Sequence, residues 1–236
     1  MPISMTKVEQ TAPGLVSLYK NAAVSLDKRG LTGERAAVYL VLDRSGSMRE
    51  FYRDGTVQHL AEQVLGLAAH FDDDGVVPLV FFSTDVDGVT EVSLTDYTGR
   101  IAKLNDAYGH MGRTNYAAAI EAVVEHYRES GSTAPAFVVF QTDGGPSSRS
   151  AAVEALCRAA RLPMFWQFVG FGQDEFRFLR RLDTLPVPSA RVVDNAGFFA
   201  AGADPRSIPD GQLYDLLTAE FPEWLASARE LGIVGG

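Results

Sequence analysis

Apolar residues fall along this chain in two alternating rhythms, helical spacing and short unbroken runs. Leu15, Val16, Leu18, Tyr19, Ala22, Ala23 and Leu26 recur at helical intervals and stop at Gly30, as an amphipathic helix with a glycine terminator does. Ala36 to Leu42 is an apolar run that reads as a buried strand. Val57, Leu60, Ala61, Val64, Leu65 and Ala68 return to helical spacing, the Asp72-Asp73-Asp74-Gly75 turn ends it, and Val76 to Phe82 is the next strand. Asp87-Gly88 is a hairpin signal leading into a short edge strand, Val89 to Leu94. Helices are then predicted over 96–108, from Ala117 onward, over 150–161 and over 174–182, with strands over 135–141, 163–170 and 190–193. Residues 209–231 read as helical, with Pro222 starting a second segment because proline breaks a helix ladder from within. Residues 1–12 carry no such pattern and read as a loose lead-in.

Strand and helix alternate throughout. This predicts an α/β fold of the doubly wound kind, a mostly parallel central sheet with one short antiparallel edge strand and helices on both faces, Rossmann-like in layout. No linker, internal repeat or low-complexity tract interrupts the alternation, so residues 1–236 read as a single domain.

Composition narrows the functional classes. An apolar content of 46% with 22% charged residues is that of an ordinary globular chain. No apolar run reaches the roughly 18 residues of a membrane span. The first ten residues are polar and unlike a secretion signal, which makes a cytoplasmic location the expectation. A net charge of −9 repels a phosphate backbone and speaks against nucleic acid as a partner. Cys157 is the only cysteine, which rules out an intrachain disulfide and a thiolate zinc cluster, and its spacing suggests a buried helix position. His59, His70, His110 and His126 lack the i, i+4 pairing of a helical zinc site.

The chemistry concentrates at strand ends. The first strand runs straight into Asp43-Arg44-Ser45-Gly46-Ser47, placing three oxygen-bearing side chains at its carboxyl end, where ligands of open α/β sheets bind. By itself this stretch is equally a metal loop or a Ser/Gly turn in which Asp43 caps a helix. Two further loops carry matching chemistry: Gly109 to Asn115 holds Thr114, and Thr142 to Ser148, following the apolar Phe137-Val138-Val139-Phe140, holds Asp143. Two carboxylates and three hydroxyls suit a hard cation such as Mg²⁺. Asp85 and Asp87 do not make a calcium loop, because Ser83 and Leu94 stand where that loop needs acidic residues.

The pattern Asp43-x-Ser45-x-Ser47, then Thr114, then Thr142-Asp143-Gly144 resembles the metal-ion-dependent adhesion site of the von Willebrand factor A domain, also called the integrin I-type domain, over about residues 30–230. The helix before the first strand, Asp54-Gly55-Thr56-Val57-Gln58 and Phe71-Asp72-Asp73-Asp74-Gly75 are similar to the copine-like A domains of bacterial tellurite-resistance and stress-response proteins. The resemblance implies a metal held by Asp43, Ser45, Ser47, Thr114 and Asp143: Mg²⁺, with Mn²⁺ or Ca²⁺ as alternatives. Ser45 and Ser47 would ligate directly, Asp43 and Asp143 largely through water or by orienting ligands, and Thr114 in the ligand-competent state. It also implies a protein partner whose acidic side chain completes the metal's shell. The chain departs from the pattern in having Arg113 before Thr114, where the family often has glycine. Arg113, Arg44 and Arg49 are candidates for a rim that attracts the anionic partner, and a solvent-facing role with no partner is equally open for Arg44 and Arg113.

Three functions compete. The first is a non-enzymatic, metal-dependent interaction module. The second is a Mg²⁺-dependent hydrolase or phosphatase, since an aspartate at a strand end with Mg²⁺ also serves phosphoryl transfer. Against it, Ser45 stands where a haloacid-dehalogenase-type enzyme would want aspartate, and neither a nucleophile elbow nor a phosphate-binding loop is present. The third is an A domain whose site is empty and purely structural.

Overall fold

The computed structural model describes residues 2–187 and 189–235. Six strands form one sheet in the order β3-β2-β1-β4-β5-β6, with β1 at Ala37–Asp43, β2 at Val76–Phe82, β3 at Val86–Ser93, β4 at Ala136–Thr142, β5 at Met164–Phe171 and β6 at Ala196–Gly202. Pairing is parallel except between β2 and β3, which is antiparallel. The predicted doubly wound sheet with one antiparallel edge strand is therefore the observed one.

Alternate strand residues face opposite layers. Val38, Leu40 and Leu42 of β1 and Phe137 and Val139 of β4 pack into the core on one side, while Tyr39, Val41, Val138 and Phe140 pack into the core on the other. The first layer contains α1 (Met5–Thr11), α2 (Val16–Lys28), α4 (Thr56–Phe71), α9 (Asp210–Leu217) and α10 (Phe221–Glu230). The second contains α6 (Tyr116–Ser130), α7 (Arg149–Ala159) and α8 (Arg177–Asp183). Two short helices, α3 (Arg49–Arg53) and α5 (Arg100–Ala107), sit between β1 and α4 and between β3 and α6 in the chain. With both faces covered, β4 and β5 are buried at every residue, which is why their sequences read as continuous apolar runs.

Three expectations change. The lead-in is not loose: α1 is capped by Ser4, whose hydroxyl accepts from the Lys7 N–H, and it buries Val8. Two turns with one buried residue leave no periodicity to read. The last strand is 196–202 rather than 190–193. Arg191 is the cause: its buried guanidinium donates to the carbonyls of Asp183 and Leu185 and to Asn195 Oδ1, which folds 190–195 into a loop. Cys157 on α7 is half-buried rather than buried. Proline 222 does open the second C-terminal helix, lying in the first turn of α10.

Phe137 meets Phe71, Phe165 and Phe221 with ring centroids 4.9–6.1 Å apart. Replacing Phe137 by Ala should destabilise the fold by about 3–5 kcal/mol, read as a lower urea midpoint at unchanged m-value. Glu220 lies among Asp183, Asp194 and Glu223, and burial first, then these like charges, push its carboxyl up to about 7. Folding thus favours the protonated form, so the contribution of Glu220 to stability is most favourable below the unfolded value of 4.5 and is lost as pH rises through 7. Glu220→Gln should match the native chain in melting temperature near pH 4.5 and exceed it above pH 7.

Candidate metal centre

The order of the sheet reverses between β1 and β4: the chain moves outward from β1 to β2 and β3, then returns to the other side of β1. Such a switch point leaves a crevice at the carboxyl ends of the two strands. Asp43 ends β1 and Asp143 immediately follows β4, so both carboxylates arrive at that crevice.

Asp43 has no solvent exposure. Its Oδ1 accepts from the Ser45 N–H at 2.6 Å and its Oδ2 from the Thr142 hydroxyl at 2.6 Å. Tyr116 donates to Thr142 Oγ1 at 3.1 Å and to the Gly144 carbonyl, and the Tyr52 hydroxyl donates to the Asp43 carbonyl at 3.0 Å. The Ser45 and Ser47 hydroxyls lie 3.2 Å apart, and Ser45 Oγ is 3.4 Å from Asp143 Oδ1. Burial raises the Asp43 carboxyl to about 7, with Asp143 adding to the rise while the Thr142 and Ser45 hydrogen bonds oppose it. Burial likewise raises Asp143, which the Ser47 and Ser45 hydroxyls pull back and Asp174 pushes further up.

The structure thus brings Asp43, Ser45, Ser47 and Asp143 together. Among the described residues, Thr114 makes no hydrogen bond to these four. Its loop is tied to theirs by the Gly46 N–H donating to the Gly112 carbonyl at 3.1 Å, and Thr114 itself exchanges bonds with Ser147, its N–H donating to Ser147 Oγ at 3.2 Å and its carbonyl accepting from the Ser147 N–H at 2.7 Å. Asn115 caps α6, its side chain accepting from the Ala118 N–H. Ser47 and Gly46 are exposed while Asp43 and Ser45 are buried, so the cluster opens to one side. Beside it lies a depression of about 240 Å³ lined by Gly144, Gly145, Arg149, Asp174 and Phe176 among others. Phe176 has φ 50, and its ring occupies the space a Cβ on Gly170 would need, 2.8 Å away.

Two carboxylates held high chiefly by burial, with hydroxyls beside them, fit a small hard dication, which would offset their negative charge. Among the described residues there is no cluster of three or more His, Cys, Asp or Glu side chains suited to a metal ion. Any cation here would rest on hydroxyl ligands as much as on acids.

Of the three candidate rim arginines, Arg49 and Arg113 are exposed. Arg44 is not on the rim. Its side chain is fully buried, with Nη1 2.9 Å from Asp87 Oδ2, because the residues around it offer a carboxylate and the carbonyls of Asn105 and Gly109. Sequence reasoning missed Thr142 and Tyr116 as supports of Asp43. Thr142 was visible as the residue before Asp143, whereas Tyr116, at the start of α6, gave no local signal.

Residues 35–234 match the family described as vWA-TerF-like, the von Willebrand factor A domain found in the TerF C terminus. The chain belongs to that family. It is also 40% identical, over 91% of its own length and 88% of the other's, to the uncharacterised protein YcbR of Bacillus subtilis strain 168. Among solved structures, a manganese-loaded TRAP protein of Plasmodium vivax is similar with a TM-score of 0.51 at 16% identity, covering 77% of this chain and 74% of that one. A von Willebrand factor type A protein from Catenulispora acidiphila has a TM-score of 0.47 at 15% identity, with 84% of this chain and 43% of that one aligned, so this chain spans less than half of that protein. These structural likenesses concern the fold. A domains are in general interaction modules, and among the described residues of this one no helix is long and apolar enough to cross a membrane.

A Cβ on Gly112 would lie 2.5 Å from Thr84 Oγ1 and 2.9 Å from Ser83 Oγ. Gly112→Ala should therefore displace the Thr114 loop and lower stability by about 1–3 kcal/mol, measured by chemical denaturation.

Proposed function

We propose that this chain is a metal-dependent protein-interaction module of a bacterial tellurite-resistance or stress-response system, acting in the cytoplasm without catalysis of its own. The observation that carries the reading is the convergence of Asp43, Ser45, Ser47 and Asp143 at the switch point of the sheet, with Ser47 on the open side. Ser45, Ser47 and Thr114 supply hydroxyl ligands to a Mg²⁺ ion, and Asp43 and Asp143 supply the compensating charge. Mn²⁺ is the natural substitute, and a metal-loaded relative in fold, the manganese-loaded TRAP protein, is consistent with it.

When bound, the metal supplies an exposed, partly neutralised positive centre that accepts an oxygen ligand. The chain's own residues do the rest. Thr142 and the Ser45 amide fix the Asp43 carboxylate, so it cannot swing out to quench the open position. Arg49, at the start of α3, and Arg113, in the loop before α6, are both exposed and favour the approach of a partner that presents an Asp or Glu side chain. The acidic balance of the whole chain disfavours nucleic acid at the same place. The match to the A domain found in the TerF C terminus supports the tellurite-resistance setting.

Calorimetric titration with Mg²⁺ and Mn²⁺ should show one saturable site on the native chain and none on Ser47→Ala, whose exposed side chain can be removed without disturbing the core. Absence of saturable binding to the native chain would defeat the reading, and metal-dependent turnover of a generic phosphate ester would replace it with the hydrolase. Thr142→Val, which removes only the hydroxyl that holds Asp43, should weaken Mn²⁺ by about 10–100-fold, as loss of a group that orients a ligand does.

A further inference from the structure

The arginine inside the Asp43–Ser47 loop is built into the molecule more thoroughly than a charged residue in a ligand loop needs to be. Its guanidinium makes four hydrogen bonds: Nε to Asn105 Oδ1 at 2.9 Å, Nη1 to Asp87 Oδ2 at 2.9 Å, and Nη2 to the carbonyls of Asn105 at 3.1 Å and Gly109 at 2.9 Å. Tyr108 covers it, with the guanidinium carbon 5.6 Å from the ring centroid. The carbonyls it takes belong to the last turn of α5 and to the second residue past its end, a place where helix carbonyls lack partners and a cation is favoured. Arg44 therefore fixes where α5 stops, and Gly109 begins the loop that carries Thr114.

The other end of that loop is tied to the same guanidinium. Asp87, which accepts from Arg44 through Oδ2, accepts from the Ser83 hydroxyl through Oδ1 at 2.8 Å. The Ser83 carbonyl in turn accepts from the Asn115 N–H at 2.8 Å, one residue past Thr114. Between these two anchors the Gly112 carbonyl accepts from the Gly46 N–H, and Thr84 Oγ1 accepts from the Arg113 N–H at 3.0 Å. Both ends of the Thr114 loop, and the first ligand loop itself, are thus joined through one buried cation.

We propose that Arg44 is a positioning residue for the metal centre: with Asp87 and Ser83 it clamps both ends of the 109–115 loop and so sets where Thr114 stands relative to Ser45 and Ser47. The inference rests on the metal reading for its consequence but not for its structural content, and the two are separable. Asp87, at the start of β3 and part of no calcium loop, receives its purpose from the same arrangement.

Two measurements test it, on Arg44→Lys, Arg44→Met and Ser83→Ala. The first is amide hydrogen exchange of the metal-free protein over residues 109–115. It should quicken in Arg44→Met and at Asn115 in Ser83→Ala, with residues of β4 and β5 unchanged. The second is Mn²⁺ affinity by calorimetry. It should fall about 10–100-fold in Arg44→Met and less in Ser83→Ala, with part of the loss restored in Arg44→Lys, which keeps the charge for Asp87 but lacks the fork that spans Asn105 and Gly109. Ser83→Ala removes no charge, so it stays informative if Arg44→Met fails to fold. Unchanged exchange over 109–115 in both Arg44→Lys and Ser83→Ala would overturn the proposal. So would quickened exchange with Mn²⁺ affinity equal to that of the native chain. A native chain that binds no Mn²⁺ while the exchange arm behaves as expected would leave the clamp standing and remove the metal reading instead.

Discussion

Asp43 is a carboxylate placed where water does not reach, at the end of a strand flanked on both sides by other strands. Burying such a group is costly unless hydrogen bonds and opposite charge meet it. The Ser45 amide and the Thr142 hydroxyl take its two oxygens. Each of those donors commits a loop: Ser45 must turn back at once after β1, and Thr142 must end β4 level with it. Tyr116 then holds Thr142 from the start of α6, and Tyr52 holds the Asp43 backbone. Much of the sheet's mouth is arranged to keep one acid in place, and a dication beside it would supply the charge that hydrogen bonds do not.

The architecture was legible because its periodicities are long and unmixed. Strands β1, β2, β4 and β5 announce themselves as apolar runs since helices cover both faces of the sheet, and α2, α4 and α6 show a clear apolar stripe. Strand β6, Ala-Gly-Phe-Phe-Ala-Ala-Gly, has small residues and only intermediate burial over part of its length, so its pattern was weaker than the Arg-Val-Val stretch that precedes it. What misled there was a buried arginine acting as the organiser of a loop, a role that hydrophobic patterning cannot register.

The same blindness governed the site. Asp43, Ser45, Ser47 and Asp143 were readable because each follows directly from a strand end, and the sheet order brings those ends together. The sequence points Arg44 to the surface because charge is ordinarily solvated. Its true environment depends on Asp87, 43 residues away, and on the end of α5, 61 residues away at Asn105. Contacts of that separation leave no trace in local spacing. The family match agrees with the fold and is silent on this arginine.

The Phe176 ring and the bare backbone of Gly170 fill one another's space, with Phe176 held in a left-handed conformation. Neither position is free to vary alone. A larger residue at 170 requires a smaller one at 176, and a smaller ring at 176 leaves a void that only a side chain at 170 can occupy. Across sequences of this kind the two positions should therefore drift as a pair, and a residue exchange that ignores the pairing would disturb the strand end to which Thr142 is registered.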